Sequence, residues 1–105
     1  MAHAYKNTKT DLTTTNATDI LTVPATKTEI VKSVLVSDDS GSGDTFDLTI
    51  VNGSDTFNIC NNKSVSANGT VEVLTNPLVL TTSDILKATA TTANRLHIVV
   101  SYLEV

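Results

Sequence analysis

The segment Leu96–Leu103 constrains the fold more than any other. Leu96, Ile98, Val100 and Tyr102 alternate with His97, Val99, Ser101 and Leu103. A two-residue period puts the first four side chains on one face of a β-strand and the other four on its opposite face. β-branched and aromatic residues favour that pleated surface. The segment lies at the C-terminal end of the sequence, so the chain is expected to finish flush in its sheet.

The same signal recurs upstream. Asp19–Val23 is a short strand stopped by Pro24, and Glu29–Ser37 is a long one. In the latter, simple alternation puts Ile30, Val34 and Val36 on one side and Val31, Ser33 and Leu35 on the other. Thr45–Asn52 alternates with Phe46, Leu48 and Ile50 inward. Asn52-Gly53 is a hairpin signal, and Asp55–Cys60 returns with Phe57 and Ile59 on its apolar side. Asn61–Lys63 and Ala67–Gly69 read as turns. Thr70–Thr75, Leu78–Leu80, Ile85–Ala90 and Leu96–Leu103 complete about eight strands. That spacing, without a convincing helical segment, predicts an all-β fold: an antiparallel β-sandwich, with a jelly-roll-like arrangement as one form of it.

Composition agrees. The 105 residues suffice for one domain. Val, Ile and Leu total 28 and Thr 19, against two Phe, two Tyr and no Trp, so the core must be narrow and aliphatic. Residues 1–17 are polar, Thr-rich and aperiodic. They are expected to form an extended N-terminal arm gripping a neighbouring subunit, with residues 18–105 as the sandwich domain. His3, Tyr5 and Leu12 are the arm's candidate partner-binding residues.

Candidate chemistry is sparse. The net charge of −4 and seven scattered basic residues argue against a phosphate-backbone partner, which needs clustered Lys and Arg. No apolar run approaches a membrane span, and the N-terminus lacks the apolar stretch of a signal peptide. The single Cys60 reads as a small, half-buried side chain. The Asp38–Asp44 loop (DDSGSGD) holds the one carboxylate cluster, making Asp38, Asp39 and Asp44 weak metal candidates. It lacks the order of acids that a calcium loop requires, so a solvated hairpin loop is the simpler reading. His97 has no recognisable nucleophile or orienting acid and reads as a surface or interface histidine. No catalytic residue and no cofactor is expected.

Two runs carry a resemblance. Ala17–Ala25 (ATDILTVPA) with Lys27–Ser37 (KTEIVKSVLVS) opens it, and Leu80–Glu104 (LTTSDILKATATTANRLHIVVSYLE) closes it. Together they resemble small β-sandwich virion structural proteins of tailed bacteriophages, over about residues 17–105. The resemblance implies a non-enzymatic virion component made in the host cytoplasm. Within that class a capsid decoration or cement protein comes first, and a tail, neck or fibre component second. Its partners would be the major capsid protein or other virion proteins, with self-association, for example as a trimer. A host glycan-binding module is the alternative from another class, although few aromatics are available to stack on sugars.

Overall fold

The computed structural model describes residues 3–105. Its strands, in chain order, are β1 (Ala4–Asp11), β2 (Thr18–Thr22), β3 (Glu29–Asp38), β4 (Asp44–Asn52), β5 (Asp55–Val65), β6 (Thr70–Glu72), β7 (Leu78–Leu80), β8 (Ile85–Ala90) and β9 (Leu96–Glu104). They form two antiparallel sheets. The first runs β1-β9-β3, with β6 and β7 sharing the far edge of β3; the second runs β2-β8-β4-β5. The chain therefore passes from one layer to the other at β1–β2, β2–β3, β3–β4, β5–β6, β7–β8 and β8–β9. The β4–β5 hairpin stays within its sheet. This is the expected all-β sandwich.

The two inner faces make one core. Val31, Val34, Val36, Ile98 and Val100 face it from the first sheet, and Phe46, Leu48, Leu86, Ala88 and Ala90 from the second, each 2% exposed or less. Burying a Val, Leu or Phe side chain contributes about 1.5–3 kcal/mol. With one central aromatic, the core depends on many such aliphatic contributions.

Two details of register depart from simple alternation. In β3, Val31 opposes Tyr102 but Ser33 already opposes Ser101, so Lys32 is an extra residue. This β-bulge moves Val31 onto the same side as Val34 and Val36 and turns Ile30 outward. In β5, the strand runs through Asn61–Lys63, where the sequence predicts a turn. Register shifts opposite Phe46, Leu48 and Thr49 and a φ of 53° at Asn62 absorb the extra residues. The Asn62 amide donates to the Asp47 carboxylate at 2.7 Å. The hairpin also lies one residue later than expected. Asn52 still pairs with Asp55, so Gly53, at φ 61°, and Ser54 make the turn.

The N-terminal segment differs most. Residues expected to reach for a neighbour instead form β1, the edge strand of the first sheet. It pairs with β9 from Ala4 opposite Glu104 to Asp11 opposite His97. Polar residues suffice there because only one side of an edge strand meets the core, and Thr8 and Thr10 are half-buried on it. Leu12 then turns inward at 1% exposure. Its amide donates to the Leu96 carbonyl, and its carbonyl accepts from the Asn94 amide, both at 2.9 Å. Residues 1 and 2 of the expected arm lie outside the described residues.

Candidate interaction surface

The outer face of the first sheet carries a continuous apolar row. Tyr5 on β1 opposes Leu103 on β9, Leu103 opposes Ile30 on β3, and Ile30 opposes Val79 on β7. Tyr5 is 78% exposed and Val79 56%. The row exists because β1 joins the sheet and the bulge at Lys32 turns Ile30 outward. Alternation along β9 brings in Leu103, and along β7 it places Val79 between the half-buried Leu78 and the buried Leu80. A shallow hollow of about 330 Å³ lies beside Tyr5, lined by Lys6, Asn7, Lys32, Ser101 and Tyr102.

Farther along the strands the face becomes mixed. Asn7, Ser101 and Ser33 form the next register position, followed by Lys9, Val99, Leu35 and Glu72. The Glu72 carboxylate accepts hydrogen bonds from the Ser33 hydroxyl, from the Val34 amide at 2.8 Å and from the Leu74 amide at 3.3 Å. It thereby ties the short β6 to the bulged part of β3. At the far end, His97 Nδ1 lies 3.4 Å from Asp39 Oδ2. His97 is a surface residue beside an acid, and Asp11, Ser37 and Thr70 complete its row. The arrangement offers shape, apolar area and peripheral charge.

The candidate partner-binding residues separate. Tyr5 stands on the exposed row, and His3 is exposed just before β1. Leu12 is a core residue of its own domain and is not available to a partner. Alternation alone could not locate the row, because it depends on β1 being a strand and on the bulge. A second exposed aromatic, Phe57 (58%) on edge strand β5, opposes Ile50 on β4. The sequence puts it on the apolar side of its strand, yet it stays exposed. The opposite layer at that edge has only the three-residue strands β6 and β7, too short to cover it.

The three candidate metal-ligating aspartates also diverge. Asp38 is 5% exposed and uses both carboxylate oxygens on the protein. It accepts from the Ser40 hydroxyl at 2.6 Å and from the amides of Ser40, Gly41, Gly43 and Asn68 at 2.9–3.2 Å. The Ser40 hydroxyl, followed by the Asn68 amide, holds its carboxyl far below the ordinary carboxylate range. Asp39 turns to His97, and Asp44 accepts from the Thr92 amide at 2.8 Å. Among the described residues no group of three or more His, Cys, Asp or Glu is arranged to hold a metal ion. The DDSGSGD loop is thus organised by Asp38 as an internal template.

Smaller readings resolve similarly. Asp84 receives the Asn52 side chain at 2.8 Å and the Thr81 amide at 2.9 Å. Burial opposes its ionisation, but these hydrogen bonds outweigh it and lower its pKa. It caps the turn before β8, and Asn94 takes a φ of 63° in the turn before β9. Cys60 is half-buried, and burial raises its thiol pKa, which disfavours the reactive thiolate.

No family model and no characterised protein matches the chain by sequence. Among solved structures, a likeness of fold is found to a chain of the acidic stable capsid structure of Helicobacter pylori bacteriophage KHP30, with a TM-score of 0.57 and 9% identity, covering 99% of this chain and 87% of that one. Two pentameric capsid proteins isolated from metagenomic phage sequences align more weakly, with TM-scores of 0.48 and 0.47 and identities of 23% and 24%. Those alignments cover 94% of this chain and 59% and 60% of theirs.

Proposed function

We propose that this chain is a non-enzymatic structural protein of a phage particle, and specifically a decoration or cement protein that binds the outside of the capsid shell. The observation that carries this reading is the end-to-end match to a chain of the KHP30 capsid structure. That chain is matched over most of its own length, so the likeness is to nearly the whole of that subunit rather than to a fragment of it. The strand orders β1-β9-β3-β6/β7 and β2-β8-β4-β5 read as a jelly roll, an architecture common in capsid proteins. The Tyr5–Leu103–Ile30–Val79 row is the surface we assign to the shell or to a second copy, because contiguous exposed apolar area marks interaction sites. Tyr5, with His3 beside it, is its candidate anchor.

The test is addition of the purified protein to shells that lack it. Co-sedimentation with the shells and a higher shell melting temperature support the proposal; no binding, or binding without stabilisation, counts against a cement role. A tail or neck position would use the same fold, and the two are separated by where the protein sits on the particle.

A further inference from the structure

We propose that Glu29 and Glu104 form a proton-sharing pair that locks the β1-β9-β3 end of the sandwich in acid and loosens it as the proton leaves. Glu29 is 1% exposed, and among the described residues neither of its side-chain oxygens finds a hydrogen-bond donor. A buried carboxylate without a donor is costly. Its cross-strand partner on β9 is Glu104. Two ionised carboxylates are acceptors only, so a hydrogen bond between them requires that one carry a proton.

The neighbours decide which one. Lys6 on β1 donates to Glu104 Oε1 at 2.8 Å and keeps that carboxylate charged, and Lys27, in the turn before β3, also favours its ionised form. On β7 the residue opposite Glu29 is Leu80, which has no charge. Tyr102, 8% exposed, adds a phenol whose own pKa is raised by burial. Burial first, and then Glu104, raise the Glu29 pKa to about 7, with Lys6 opposing. The protonated state is therefore Glu29–COOH donating to a Glu104 carboxylate that is paired with Lys6. On deprotonation the proton passes to solvent, leaving two carboxylates beside one close lysine.

The direction follows from proton linkage. The native state holds the Glu29 proton more tightly than the unfolded chain, whose ordinary value is 4.5. The stabilisation is complete below that value and is lost as pH rises through about 7. The thermal melting of the full chain and of Glu29→Gln, followed from about pH 5 to about pH 8, tests this. Gln keeps a donor for Glu104 at every pH. The wild-type Tm should fall by on the order of 10 °C over that window, and the difference between the two proteins isolates Glu29 from other titrating groups. An equal slope in both, or a flat wild-type profile, overturns the proposal. NMR titration of the Glu29 carboxyl carbon in the wild-type chain decides independently of the variant's folding. A midpoint near the value above supports the pair, and a midpoint at the ordinary glutamate value rules it out.

Discussion

The Asp38 carboxylate accepts the Asn68 amide at 2.9 Å, joining the end of β3 to the turn before β6. The same oxygen accepts the Gly43 amide at 3.1 Å, and the Asp38 amide donates to the Gly69 carbonyl at 3.0 Å. One buried side chain thus fixes two loops. Because its folded pKa is depressed, its contribution is present above its ordinary value of 3.8 and is lost as pH falls below it. Asp38→Asn should lower the Tm at neutral pH and flatten the acid limb of the pH–stability curve, read by circular dichroism. A chelator should leave the wild-type Tm unchanged, since the oxygens of Asp38 are already occupied by the protein.

Leu12 tests whether the N-terminal segment belongs to the domain. A large-to-small change at a fully buried leucine costs about 2–5 kcal/mol. Leu12→Ala should show a loss of that size in chemical denaturation, and deletion of residues 2–15 should destabilise the domain further by removing β1. A truncated chain as stable as the full one would mean that β1 is dispensable.

Gly43 tests the loop geometry. It has a φ of 73°, and a Cβ there would meet the Val65 carbonyl oxygen at 2.9 Å. Backbone cannot yield as a flexible side chain can, so Gly43→Ala should destabilise by more than about 1 kcal/mol. Gly53, also at positive φ, has open space around it, so Gly53→Ala should carry only the conformational cost. The difference in denaturation midpoint between the two variants measures the clash.

Tyr5 separates binding from folding. At 78% exposure, Tyr5→Ser should change stability by no more than about 0.5 kcal/mol. It should nevertheless weaken binding to shells, measured by co-sedimentation, because aromatic anchors dominate interface energetics. Unchanged binding would move the contact away from the Tyr5 row.

Strands whose pattern matched a half-buried face were legible in the sequence. Leu78–Leu80 and Ile85–Ala90 begin and end as read, and Leu96, Ile98, Val100 and Tyr102 do face the core. Elements set by tertiary context were not. β1 has no apolar alternation because it closes a sheet edge with Thr8 and Thr10. The bulge at Lys32 leaves no local signature in a run where both faces are rich in Val, Ile and Leu. Tyr5 was singled out, but its row could not be assembled without those two features. The acids of the DDSGSGD loop were visible as a cluster, whereas the five donors around Asp38 include one thirty residues away.

Copy number on purified particles tests the central claim most directly. A shell-decorating protein follows the symmetry of the shell, so quantitative mass spectrometry should find it on the order of hundreds per particle. About a dozen copies or fewer would place it at the neck or tail instead, and its absence from the particle would contradict the virion assignment itself.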